Sequence, residues 1–211
     1  MRLYLASTSP ARLALLRQVG IEPVVVPSQV DEEAAVRRAT DENGELDASA
    51  MVTLLARLKA EAILGQLPDG APIDGVVLGG DSAFELDGVI YGKPHEPEVA
   101  RERWLAQRGK TGTLHSGHWL IEVADGVAGR ALGATAHASV EFAADISEQE
   151  VDEYVASGEP LQVAGAFTID GLAAPFIRSV TGAPSTVIGM SLPTLRTMLA
   201  ELGIHWMSLR A

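Results

Sequence analysis

Residues 5–16 read Leu5-Ala6-Ser7-Thr8-Ser9-Pro10-Ala11-Arg12-Leu13-Ala14-Leu15-Leu16. The apolar run from Leu3 to Ala6 stops at polar turn residues, which predicts a short buried strand. Ser9 followed by Pro10 predicts a helix N-cap with proline at the first helical position. Leu13, Leu16 and Val19 supply the apolar stripe of that helix, and Gly20 its stop. Val24 to Val26 predicts a second buried strand. Residues 3–26 therefore read as a β-α-β unit, with the helix starting above the carboxyl end of the first strand.

Outward from that unit, Asp31 to Glu45 is acidic and reads as irregular. Asp47 or Ser49 caps a second helix to about Leu64, with Met51, Leu55, Leu58 and Ala62 on one face. Leu67 to Gly75 is dense in turn signals. Val76 to Ser82 predicts a buried strand closing in Gly79, Gly80 and Asp81, and Asp87-Gly88 marks a hairpin between "AFEL" and "VIY". Pro97 opens a helix to about Ala106. Strands follow near His115 to Val123 and Ala131 to Ala143. Ser147 with Glu150 forms a capping box for a helix ending at Gly158. Ser191 to Leu202 is the last helix, and Ile204 to Leu209 a final strand. The order predicts an α/β fold, a mixed twisted sheet flanked by helices, read as a single domain over residues 1–211.

The chain is 47% hydrophobic and 21% charged, with a formal net charge of −12. That apolar share supports a core, and the negative balance argues against nucleic acid and anionic membrane as partners. With no cysteine in the chain, disulfides, thiol nucleophiles and cysteine-ligated zinc are excluded. No long apolar run and no signal segment are present, so a soluble cytoplasmic protein is expected.

Three familiar motifs fail on inspection. Gly109-Lys110-Thr111 ends like a P-loop, but Trp104 stands where its first glycine belongs. "GDSAF" is no nucleophile elbow, because Phe84 replaces the second glycine. His115 and His118 point to opposite faces of a strand, which disfavours a shared metal, and His95 reads as solvated.

The opening stretch carries an electrostatic misfit that survives. Arg12 places a cation in the first turn, where the helix dipole prefers an anion. Free backbone N–H groups, the hydroxyls of Ser7 and Ser9 and the Arg12 fork together suit a phosphate. The plain alternative is an ordinary capped helix with an exposed arginine. Asp81, at the carboxyl end of its strand, can hold Mg²⁺ or orient water, and Gly79 and Gly80 clear space for a close approach. Glu32 lies at the same sheet edge if the strands are parallel. Lys59 and Lys93 can each neutralise phosphate or be surface lysines, and periodicity alone favours the surface for Lys59.

The ordered blocks "LASTSPARLALL", "VDE", "KAEA", "GGDSAFELDGVIYGKP", "YVASGEPLQVAGAFTIDG" and "STVIGMSLPTL" resemble the Maf family of nucleotide pyrophosphatases across nearly the whole chain. That resemblance implies two lobes with a cleft between them, as in Maf and ITPase-like proteins, and often a homodimer. It implies hydrolysis of a nucleoside triphosphate to monophosphate and pyrophosphate with Mg²⁺, for which Mn²⁺ is a substitute. The family's catalytic carboxylate falls on Asp81, its phosphate ligands on Ser7, Arg12, Lys59 and Lys93, and its further acid on Glu32, which with Asp81 would hold the metal.

Two departures bear on the substrate. Family members commonly carry arginine at the position of Ala11 and lysine at that of Val163. Ala11, Ser82 and Asp170 correspond to the positions that sort the family by base, where the pyrimidine-preferring branch carries Arg, Thr and Gln. A carboxylate at Asp170 accepts only, which favours the N–H edge of guanine, and Ala11 leaves room for a purine. A guanine-type nucleotide such as 7-methyl-GTP is therefore expected. The alternatives are dTTP or UTP, a non-catalytic nucleotide-binding regulator of cell division, and an Mg-dependent phosphomonoesterase.

Overall fold

The computed structural model describes residues 1–210. The elements are β1 (Arg2–Ala6), α1 (Pro10–Gln18), β2 (Val24–Val25), α2 (Glu32–Asn43), α3 (Ala48–Glu61), β3 (Gly75–Leu86) and β4 (Val89–Tyr91), then α4 (Pro97–Gln107), β5 (Thr111–Ala124), β6 (Val127–Phe142), α5 (Glu148–Ala156), β7 (Ile177–Thr181), α6 (Pro184–Ile188) and α7 (Leu192–Glu201). The strands form a mixed seven-stranded sheet in the order β2-β1-β3-β5-β6-β7, with β4 on β3. β1 is parallel to β2 and β3, while β4 and β7 pair antiparallel to β3 and β6. The α/β class read from the sequence is the class observed. Among the described residues, no helix is long and apolar enough to cross a membrane.

The chain divides into two compact units. The first holds Met1–Asp81, Ser116–Ala136 and the chain from Gly189; the second holds Ser82–His115 and His137–Ile188. Each has its own core. Tyr4, Ile63, Val77, Ile121 and Val123 pack in the first. In the second, Phe84, Trp104, Phe142, Tyr154 and Phe167 pack edge to face, as with Trp104 against Tyr154 at 5.1 Å between centroids. Such edge-on pairs align ring quadrupoles and fix the rings' mutual angles.

Local signals are obeyed closely. Ser9 caps α1 by accepting from Arg12 N, and Pro10 occupies the first turn. Ser147 and Glu150 form both bonds of the capping box on α5. Asp87 (φ 51°) and Gly88 (φ 77°) both take the left-handed conformation of a tight hairpin turn between β3 and β4.

Five expectations are corrected. The stretch read as irregular is α2: Asp31 caps it by accepting from Ala34 N, Glu32 and Glu33 suit its dipole, and none of its residues is buried. With no fully buried apolar residue, this helix offers no run of large apolar side chains to announce it. β2 is only two residues long, with Val25 exposed, so it is an edge strand rather than a buried one. On α1 the buried positions are Arg12, Leu15 and Leu16, not a Leu13 stripe. β3 runs through Asp81 to Leu86 instead of closing at Ser82, because the alternation of "AFEL" continues the strand. Residues 206–209 form a 3-10 turn rather than a strand.

Candidate functional site

The register of β1 on β3 decides which side chains meet. Ala6 lies opposite Gly79, so Ser7 and Asp81 are both just past the end of the paired segment. α1 begins three residues after Ser7, at Pro10, with no acidic residue in its first turn. Its N-terminal N–H groups therefore gather at the end of β1 without an internal anion.

Arg12 does not extend into solvent: it is 8% exposed. Its Nε donates to the Gly189 carbonyl at 2.9 Å and its Nη1 to Ser7 Oγ at 3.2 Å. The side chain crosses Gly80, where an added Cβ would lie 3.1 Å from Nε. Burial lowers the Arg12 proton affinity, and the nearby Asp81 and Glu32 carboxylates oppose that shift. Ser7 Oγ also accepts from Ser9 N at 3.1 Å. In these bonds both serine hydroxyls act as acceptors, so each keeps its O–H for donation to an anion.

Lys59 is the clearest correction. α3 buries Val52, Leu55, Ala56, Lys59 and Ala60, a face rotated from the one expected, and Lys59 is 8% exposed. Its Nζ lies 2.6 Å from Asp81 Oδ1 and 2.8 Å from Glu32 Oε1. Periodicity favoured the surface because a buried cation looks like a break in the apolar face; two carboxylates make it tolerable. Asp81 is likewise 8% exposed, and burial raises its proton affinity despite the attraction of Lys59 and Arg12. An aspartate so placed is a stronger base than one in water.

The paired glycines do admit a close approach. A Cβ at Gly79 would stand 2.0 Å from the Ala56 carbonyl oxygen, so what approaches the strand there is the backbone of α3. At Gly80 it is the Arg12 side chain. The space they clear is occupied by the protein itself.

The structure thus brings Ser7, Ser9, Arg12, Glu32, Lys59 and Asp81 together within the first unit. Ala11, half-buried on α1, is there too. Ser82, Lys93 and Asp170 belong to the second unit. Ser82 is half-buried, while Lys93 in the loop after β4 and Asp170 in a bend are both exposed. The loop before Asp170 is held firmly. Trp104 Nε1 donates to the Ala166 carbonyl and Gln107 Nε2 to that of Gly165, each at 2.7 Å. Glu159 then accepts from Thr168 Oγ1 at 2.6 Å and from Leu172 N at 3.0 Å, bracketing Asp170.

The two histidines weighed as a metal pair have separate partners. His115 Nδ1 faces His137 Nδ1 at 3.0 Å in the second unit, and His118 Nε2 accepts from Ser191 N at 2.8 Å in the first. His95 is exposed. Sequence reasoning did not place Gly189, Ser116 or His118 beside Arg12. A backbone carbonyl has no sequence signature, although "STVIGMSLPTL" marked the segment that carries it.

The Maf-like protein family description fits residues 2–202 of the chain. A nucleoside triphosphate pyrophosphatase of Leifsonia xyli is 68% identical over 209 residues, which is 99% of this chain and 96% of that protein. One from Salinispora tropica is 48% identical over 204 residues, 97% of this chain and 85% of that one. Among solved structures, the Ham1 protein of Staphylococcus aureus aligns with 96% of this chain and 100% of its own at 13% identity and a TM-score of 0.47, a likeness that adds no weight. Identity of this extent, on a chain whose sheet edge gathers those charged residues, shows that it belongs to the Maf family.

Proposed function

We propose that the protein hydrolyses a nucleoside triphosphate to the nucleoside monophosphate and pyrophosphate. One observation carries this reading. Arg12 and Lys59, both buried, share a sheet edge with Asp81, a buried carboxylate of raised proton affinity. A site built only to hold phosphate gains nothing from an anion beside the ligand. The relatives named above carry the same activity in their names.

Arg12, the hydroxyls of Ser7 and Ser9 and the start of α1 hold the triphosphate tail, and the sequence resemblance alone supports Lys93 as a further phosphate ligand. Asp81 Oδ1 is engaged by Lys59, so Asp81 Oδ2 orients the attacking water and takes its proton. The water oxygen bonds to the α-phosphorus, the bond to the α–β bridging oxygen breaks, and pyrophosphate leaves. Positioning and fixed charge supply most of the acceleration in chemistry of this kind.

Two carboxylates offer hard oxygens of the sort Mg²⁺ or Mn²⁺ prefers. Asp81 Oδ1 and Glu32 Oε1 both engage the Lys59 ammonium, however, and among the described residues no group of three or more His, Asp or Glu side chains is placed to hold a metal. An ion would therefore need the triphosphate oxygens as further ligands. Glu32 and Asp81 would hold the ion, which when bound would offset negative charge on the triphosphate oxygens. For the base, Ala11 and the acceptor-only Asp170 support a guanine-type nucleotide such as 7-methyl-GTP. The sequence resemblance supports a homodimer.

Product analysis with GTP, 7-methyl-GTP, dTTP and UTP in Mg²⁺ tests each layer. Pyrophosphate with a monophosphate is expected. Orthophosphate with a nucleoside diphosphate would make the protein a terminal-phosphate hydrolase. Orthophosphate from an added nucleoside monophosphate would make it a phosphomonoesterase, and tight nucleotide binding without turnover would make it a regulator. Faster dTTP or UTP hydrolysis would sink the guanine preference and leave the reaction standing.

A further inference from the structure

β5 presents two polar side chains two residues apart, hence on one face: Ser116 and His118, both 0% exposed. Both grip the short segment Gly189-Met190-Ser191. Ser116 Oγ donates to the Gly189 carbonyl at 3.2 Å, and His118 Nε2 accepts the Ser191 N–H at 2.8 Å. Ser191 in turn caps α7, its Oγ accepting from Thr194 N at 3.3 Å. The Gly189 carbonyl fixed in this way is the one that accepts from Arg12 Nε. Gly189 has φ 136°, which a side chain would strain, so glycine lets the carbonyl turn toward Arg12.

We infer that His118 is a positioning residue for the triphosphate site: by holding the Ser191 amide it fixes the Gly189 carbonyl that aims the Arg12 guanidinium. The inference rests on the reading of Arg12 as a phosphate ligand. The geometry requires a neutral ring with its proton on Nδ1, since Nε2 must accept. Burial supplies that state, holding the ring well below its ordinary proton affinity, and the positive charge of Arg12 acts in the same direction. Leucine would fill the volume and leave the Ser191 N–H buried without a partner. The segment would then settle elsewhere, and the guanidinium would lose the carbonyl that orients its Nε. Arg12 would keep its charge and lose its aim.

The experiment compares Arg12→Ala, His118→Leu, His118→Gln and the Arg12→Ala/His118→Leu double variant, reading KM for GTP and pyrophosphate product inhibition. Misaiming a binding group by about 1 Å costs roughly ten- to a hundredfold, so His118→Leu should raise KM by about that factor. His118→Gln, whose amide oxygen can accept, should recover most of the loss. The double variant should match Arg12→Ala within about twofold, since a positioning residue has nothing left to aim. Multiplying effects in the double variant, or unchanged KM in His118→Leu, would overturn the inference. An unchanged KM in Arg12→Ala would instead strike down the reading of Arg12 itself. Should His118→Leu not fold, His118→Asn, whose amide falls short of Ser191, takes its place under the same criteria.

Discussion

The two units handle their charged residues in opposite ways. In the first, Arg12, Lys59 and Asp81 are buried, paired at 2.6–3.2 Å, and fixed by strand register and by glycines that admit no side chain. In the second, Lys93 and Asp170 stand exposed, and what is rigid is the loop beneath them: Glu159 clamps Thr168 and Leu172 on either side of an open Asp170. The contrast matches the chemistry proposed for the buried cluster and for Asp170. A triphosphate is the same in every nucleotide, so its site can be preset at the cost of burying charge. The base varies, and a side chain at the solvent can be exchanged without disturbing a core.

The comparison breaks most sharply at Asp81. Asp81→Asn keeps the size and removes the base, and should lower kcat for pyrophosphate release by roughly 10²- to 10⁴-fold, the usual worth of general-base catalysis. Circular dichroism should show a folded protein. Near-normal turnover would remove Asp81 from the reaction.

Lys59 probes the cost of buried pairing. Lys59→Met leaves Asp81 buried without its ammonium, and should destabilise the fold by about 3–5 kcal/mol in urea titration. A loss under about 1 kcal/mol would mean that the pair behaves like a surface one.

Acid adds a third test. Burial lowers His118 to about 4 from its ordinary 6.5. As pH falls, the unfolded chain therefore takes up the proton first. The stability His118 contributes is full above about pH 6.5 and drains away toward pH 4, by up to about 3 kcal/mol. The melting temperature of His118→Gln should decline less over that window than that of the parent protein. Parallel curves would show that the histidine is not held neutral by the fold.

The smallest effects belong to the second unit. Asp170→Asn should change stability by less than about 0.5 kcal/mol, as exposed substitutions do. It should nevertheless alter the ratio of GTP to UTP hydrolysis. A large stability loss with no change in ratio would reverse the roles assigned to the two units.

What the sequence made legible was local. The Ser9 cap, the Ser147–Glu150 box and the Asp87-Gly88 turn each depend on a few adjacent residues, and each is found where its chemistry predicts. Two members of the buried cluster were legible too, Arg12 as a charge misfit and Asp81 as an acid after two glycines. What stayed hidden depends on partners distant in the chain. α2 packs on α3 without burying any residue fully, Lys59 is buried because Asp81 and Glu32 receive it, and the Gly189 carbonyl is invisible in any string of side chains. The glycines marked a close approach without saying what approaches.

Gly79 has a mechanical consequence. At that point α3 rests on β3 main chain against main chain, with the Ala56 oxygen 2.0 Å from where a methyl would sit. Lys59 is on the same helix and Asp81 on the same strand, so this contact works as a gauge block between two machine parts. Side chains elsewhere can repack without changing its thickness. One methyl group at position 79 would shim the helix off the strand and draw the ammonium from the carboxylate, silencing the site from a residue that has no chemistry of its own.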